Sequence, residues 1–230
     1  MTIAKEKQVL VIFPHPDDEA FGVSGTISTY IKMGVPVTYA CLTLGEMGRN
    51  LGNPPFATRE SLPQIRKSEL QSAAKAMGLA DLRMMGLRDK TIEFEDDEDM
   101  VKLVTDLIDE LDPSLIISFY PGYSVHPDHE ATARAVVRAV RRITDSRPKL
   151  YLVAFANNTT DELGSPDVIH DVRDAMDNKL STMRAHSSQT GWMLPDIEKQ
   201  LAAGNQEVMN WWLNERFYLY KWDQDFEDSF

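Results

Sequence analysis

The chain predicts an α/β fold: a Rossmann-like, mostly parallel sheet with helices on both faces. Three observations carry this. The run Val9-Leu10-Val11-Ile12-Phe13 is apolar at every position, so both of its faces need cover. Strand-like and helix-like patterns alternate through the first two thirds of the sequence, the order of a parallel sheet with crossover helices. No Gly/Ser/Pro-rich linker, internal repeat or low-complexity tract divides the 230 residues, so residues 1–230 read as one domain.

Residues 8–13 form the first strand, and residues 22–33 a helix that stops near Gly34. Residues 35–44 read as the second strand and 59–78 as a helix closed by Gly78. A short strand at 82–87 follows. The helix at 97–111 places Val101, Val104, Leu107, Ile108 and Leu111 on one face. Its start is acidic from Glu93 to Asp99, where the positive end of the helix dipole favours carboxylates. That run lacks the oxygen-and-glycine alternation of a calcium loop. A strand at 115–120 and a helix at 130–143 complete the regular alternation. In the last third, strands are expected near 150–155 and 216–221, with a helix near 172–186. Trp211 and Trp212 read as core or interface packing rather than as a platform for sugar.

The composition is that of a globular domain, 43% hydrophobic and 26% charged. A net charge of −12 argues against non-specific nucleic-acid binding, which needs a basic face. It leaves room for an anionic small substrate in a locally basic pocket. The single cysteine, Cys41, lies in an apolar run and reads as a small buried residue; no intrachain disulfide is available to it. The apolar stretch at 9–13 is too short for a signal-peptide core, and nothing approaches a membrane span. The expected location is cytoplasmic, with no membrane partner.

Ligands in such folds sit beyond the carboxyl ends of the strands. Two motifs fall there. Pro14-His15-Pro16-Asp17-Asp18-Glu19 follows the first strand, and His126-Pro127-Asp128-His129 follows the strand at 115–120. Thr43-Leu44-Gly45-Glu46 and Asp89 follow two other strands and should meet the motifs at one sheet edge. Carboxylates crowded at a strand end are costly unless something positive sits among them. A His-Pro-Asp turn alone also serves to end a strand and cap a helix. Two of them after buried strands favour a metal. His15, Asp18 and His129 offer two imidazoles and a carboxylate, a set that suits Zn²⁺ with a position open to water and that also admits Fe²⁺ or Co²⁺. With no second thiol, a four-cysteine structural site is excluded. Neighbouring Asp17 must point elsewhere, free to take a proton from an activated water. His126 could donate a hydrogen bond or proton from the other side, with Asp128 behind it to orient it. No glycine-rich phosphate loop follows the first strand, which disfavours a nucleotide-binding module.

The paired motifs closely resemble those of the LmbE-like (PIG-L) family of zinc-dependent N-deacetylases. Thr43-Leu44-Gly45-Glu46-Met47-Gly48, Arg66-Lys67-Ser68-Glu69, Leu87-Arg88-Asp89 and His186-Ser187-Ser188-Gln189 resemble further family segments, in order, over most of residues 8–190. The resemblance implies that His15, Asp18 and His129 bind zinc, that Asp17 is the general base, and that His126 is the acid or oxyanion stabiliser. It implies that Glu46, Arg66 and Asp89 line a sugar pocket. Tyr123 lies three residues before His126, where some relatives carry an aromatic two residues before. The implied activity removes acetyl from an N-acetylglucosamine conjugate, and within the family the chain most resembles the deacetylases of bacillithiol biosynthesis, which act on N-acetylglucosaminyl malate. Arg66, with Arg49, Arg59 and Arg88, is then a candidate fork for a malate carboxylate. The alternatives are an amidase of thiol-sugar S-conjugates and a non-catalytic metal-binding protein. Homo-oligomers are common in the family, and the Trp-rich C-terminal region is a candidate interface.

Overall fold

A computed structural model describes residues 3–222. Strands β1 (Val9–Phe13), β2 (Val37–Cys41), β3 (Asp81–Met84), β4 (Leu115–Phe119), β5 (Lys149–Val153), β6 (Val168–Asp171) and β7 (Asn214–Leu219) form one sheet in the order β3-β2-β1-β4-β5-β7-β6. The four pairings among β1–β5 are all parallel, and β7 runs antiparallel to both β5 and β6. The helices are α1 (Asp18–Gly22), α2 (Ser24–Lys32), α3 (Leu62–Met77), α4 (Asp97–Leu111), α5 (Pro127–Arg141), α6 (Thr159–Leu163), α7 (Met176–Ala185), α8 (Ser187–Thr190), α9 (Leu194–Ala202) and α10 (Gln206–Leu213).

The all-apolar first strand is explained by cover on both sides. Val9, Val11 and Phe13 pack with α2 and α3 residues such as Ile27, Tyr30 and Leu70. Leu10 and Ile12 pack on the opposite face with α4 and α5 residues such as Val101, Val104 and Val136. A third cluster joins α7, α9 and α10 around the fully buried Trp212. Cys41 is buried in the first cluster, and burial raises its thiol well above the ordinary value.

The expected helices and strands are present, with shifted ends. The helix expected over 22–33 is α2, and a short helix that was not expected, α1, precedes it, with Val23 between the two. Gly78 closes α3 with a positive φ of 79°, a conformation that costs glycine little. Asp96 caps α4 by accepting from the Glu98 and Asp99 amides at 2.8 and 3.2 Å, so the acidic run is indeed a helix start. Helix α5 begins at Pro127 rather than at 130, so His129 stands on its first turn. Strand β6 and helices α6, α8, α9 and α10 were not legible in the last third.

Candidate active site

The loops leaving β1, β3 and β4 meet at the carboxyl edge of the sheet. His15 Nδ1 lies 3.1 Å from His129 Nε2. Asp18 Oδ1 is 3.2 Å from His129 Nε2, and its Oδ2 is 3.5 Å from His15 Nδ1. Tetrahedral nitrogen and oxygen ligands about 2.0–2.1 Å from an ion stand roughly 3.3 Å apart, and each of these pairwise distances, with Asp18 facing the two rings through different oxygens, is close to that spacing.

The outer ring nitrogens reinforce this. His129 Nδ1 sits 3.0 Å from the Ser124 carbonyl, which can only accept, so Nδ1 carries the proton. Phe119 stacks on that ring at 4.1 Å and 20°. His15 Nε2 faces Asp128 Oδ2 at 3.1 Å and Asp89 Oδ1 at 3.2 Å, so it too is a donor. In the neutral rings, the inner nitrogens therefore turn two lone pairs toward each other. A cation between them relieves that repulsion, whether a proton or a metal ion. Burial alone pulls the His15 imidazole down, but Asp128, Asp18 and Asp89 outweigh it and hold it well above the ordinary value. Burial likewise pushes Asp18 up, and His129 and His15 reverse it, holding the carboxyl well below the usual range. The donor set fits a divalent ion. His15, His126 and His129 also bring one nitrogen each within 4.8 Å of one another, as do His15, Asp89 and Asp128 with their donor atoms.

Asp17 turns away from Asp18. Its Oδ2 accepts from Arg66 at 2.9 Å. Its backbone has φ 98°, a left-handed conformation rare for a residue with a side chain. Glu19 holds it there by accepting from the Asp17 amide at 3.1 Å. Burial raises the Asp17 carboxyl, Arg66 opposes, Asp18 adds to the rise, and the result is about 6. His126 accepts from the Asp128 amide at Nδ1, 3.2 Å, which leaves Nε2–H as its free donor. Burial and the neighbouring His15 and His129 lower its pKa, which favours this neutral form.

Several expected positions differ. Asp128 does not put its carboxylate behind His126; it holds His15 and accepts from the Lys90 and Ile92 amides at 2.7 and 3.2 Å. Arg66 is 3% exposed, and its guanidinium is committed to Asp17 and the Pro16 and Gly45 carbonyls. It is a buried strut rather than a fork open to a ligand. A Cβ at Gly45 would fall 1.8 Å from Arg66 Nη1, so the turn needs glycine there. Asp89 is also buried, accepting from the Met47 amide at 2.7 Å, while Glu46 accepts from the Asp89 amide at 3.1 Å. Tyr123 donates to Glu162 at 2.7 Å.

Two contributors had no role assigned from sequence. Glu19 is fully buried and bridges the Asp17 amide, the Tyr39 hydroxyl (3.1 Å) and His186 Nε2 (2.5 Å). Burial lowers His186, and Glu19 more than offsets it. Glu19 ends the first motif, and a carboxylate adjoining two others was its signal.

A cavity of about 490 Å³ opens from Asp17, Asp18 and His129 and runs between Phe155, Trp211 and Arg216. The expectation of core or interface packing for Trp211 and Trp212 fits Trp212, which is core, while Trp211 is 50% exposed on this cavity.

Residues 10–140 match the family PIG-L, GlcNAc-PI de-N-acetylase. A Bacillus anthracis protein named probable N-acetyl-alpha-D-glucosaminyl L-malate deacetylase 2 is 50% identical, covering 94% of this chain and 96% of its own. The protein of the same name from Bacillus subtilis (strain 168) is 50% identical over 95% of this chain and 99% of its own. Among solved structures, the N,N'-diacetylchitobiose deacetylase from Pyrococcus horikoshii superimposes with a TM-score of 0.70 at 25% identity, covering 94% of this chain and 84% of its own. With this fold and these relatives, the chain belongs to the LmbE-like (PIG-L) family of de-N-acetylases.

Proposed function

We propose that the protein is a zinc-dependent hydrolase that removes the acetyl group from N-acetyl-α-D-glucosaminyl malate. The substrate follows the names of its 50%-identical relatives. The observation that carries the metal reading is the pair of inward ring nitrogens, His15 Nδ1 and His129 Nε2, 3.1 Å apart with Asp18 beside them. These three residues would hold the ion. When bound, it supplies a Lewis acid for the amide carbonyl and lowers the pKa of water.

The chain's own groups do the rest. Asp17 accepts the proton of the attacking water at its carboxylate, and Arg66 aims that carboxylate. Its raised pKa puts it nearer neutrality, where a base that must also return a proton to the leaving amine works best. Neutral His126 offers Nε2–H to the oxygen that gains charge as the amide carbon becomes tetrahedral. Asp128 and Ser124 fix the tautomers of His15 and His129. Metal analysis of the purified protein and of His129→Ala, with an acetate-release assay on N-acetylglucosaminyl malate, tests this. The expected result is about one zinc per active chain and loss of both metal and turnover in the variant. Full turnover by metal-free protein would overturn the reading.

A further inference from the structure

The cavity that begins at Asp17, Asp18 and His129 does not end at the reacting centre. It continues to β7 and the end of α10, where Trp211, Asn214, Glu215 and Arg216 line it. Two lysine or arginine side chains lie on its wall, and they differ. Lys179 is 2% exposed and sits 2.7 Å from Glu215 Oε1, so its charge is neutralised inside the protein. Arg216 has no carboxylate partner among the described residues. Its Nη1 donates to the Asn214 carbonyl at 2.9 Å and the Trp211 carbonyl at 3.5 Å, and its Nη2 to the Asn210 carbonyl at 3.3 Å.

Those three bonds hold the guanidinium against the end of α10 without neutralising it. Of its five N–H donors, Nε–H and one on Nη2 have no partner among the described residues. Nε and Nη2 share the edge of the guanidinium that takes a carboxylate in two parallel bonds. In a chain of net charge −12, an unneutralised cation on a cavity wall is conspicuous. Trp211 and Phe155, 50% and 47% exposed, give the same cavity aromatic surface of the kind that packs on a sugar ring.

We propose that Arg216 is the specificity residue for the group attached to the sugar: it binds a carboxylate of that group while Trp211 packs against the glycoside. The proposal rests on the deacetylase reading and replaces Arg66, which is already spent, as the anion-binding arginine. The substrate class is then N-acetylglucosaminides that carry a free carboxylate.

The test compares N-acetylglucosaminyl malate with its dimethyl ester, using zinc-loaded wild type, Arg216→Gln and Arg216→Lys. The ratio of kcat/KM for acid over ester is expected to fall about 10- to 100-fold in Arg216→Gln, mainly through KM, the usual scale for a charge-assisted pair. Arg216→Lys keeps the charge without the fork, and the ratio is expected to fall part of the way. An unchanged ratio, or equal losses on both substrates, overturns the assignment. Calorimetric binding of glucosaminyl malate, the deacetylated acid, is read in parallel. Binding by wild type that weakens at least 10-fold in Arg216→Gln supports the subsite even if neither acetylated substrate is turned over, in which case the deacetylase reading alone falls. Absence of binding to wild type, or equal binding by the variant, overturns the subsite.

Discussion

Replacing Asp17 with asparagine separates what the residue does for the reaction from what it costs the fold. The carboxyl is raised from 3.8 to about 6 in the folded protein, with burial the first cause and Arg66 and Asp18 acting in opposite directions. Its side chain is 17% exposed, so little solvent screening intervenes. A rise of about two pKa units corresponds to about 3 kcal/mol, at 1.36 kcal/mol per unit. The folded form holds this proton more tightly than the unfolded chain does. The penalty for ionising Asp17 is therefore fully present above pH 6 and is relieved as pH falls from 6 toward 3.8. Asparagine has nearly the same shape, keeps an oxygen for Arg66 and never ionises. Metal-free Asp17→Asn should thus be more stable than metal-free wild type at pH 8 by up to about 3 kcal/mol, with the gap closing toward pH 4. The metal-loaded variant should lose about 10²–10⁴ in turnover. Urea unfolding of chelator-treated proteins across that pH range, with acetate release from the loaded forms, measures both. A variant less stable than wild type at pH 8, or a gap that widens as pH falls, would refute the argument.

Asp128→Asn should weaken zinc affinity about 10- to 100-fold through the His15 ring it holds at 3.1 Å, read by chelator competition; unchanged affinity would mean Asp128 does not support that ring. His170, packed among Tyr30, Tyr151 and Phe217, is pushed down to about 4 by burial, with Glu215 opposing. Its folded pKa is lower than the ordinary 6.5, so its contribution is full above pH 6.5 and is lost as pH falls toward 4, about 2 kcal/mol by pH 5. His170→Asn should flatten that part of the stability curve in urea titrations, and parallel wild-type and variant curves would count against it. Val125, 66% exposed, has a φ of 52°, so Val125→Gly should add about 0.5–1 kcal/mol of stability in the same assay; a loss would show that the turn needs its side chain.

Legibility followed the physics of each signal. The all-apolar β1 and the amphipathic stripe of α4 announced themselves because burial is written directly into residue type. His15, Asp17, Asp18 and His129 were nameable because unlike polar groups at two strand ends have few inexpensive explanations. Asp128 and Arg66 were named with the wrong partners. Sequence gives a residue's chemistry but not the direction of its χ angles, and these decided that Asp128 meets His15 and Arg66 meets Asp17. Arg216 was missed for a related reason: its place on the cavity depends on an antiparallel strand arriving from the far end of the chain. The short β6 and the helices α9 and α10 carry mixed, half-exposed patterns that resemble loops.

Strand β7 is last in sequence among the described strands, yet it lies between β5 and β6. During synthesis, the five parallel strands can assemble while the hydrogen-bonding edge of β5 stays open, waiting for residues 214–219. Over the same interval the Gly25 and Thr26 amides lack Glu215, which accepts them at 3.0 and 2.7 Å across 190 and 189 residues of sequence. A nascent or prematurely stopped chain therefore exposes a sticky sheet edge and leaves the start of α2 untied, and it is the form that chaperones would meet.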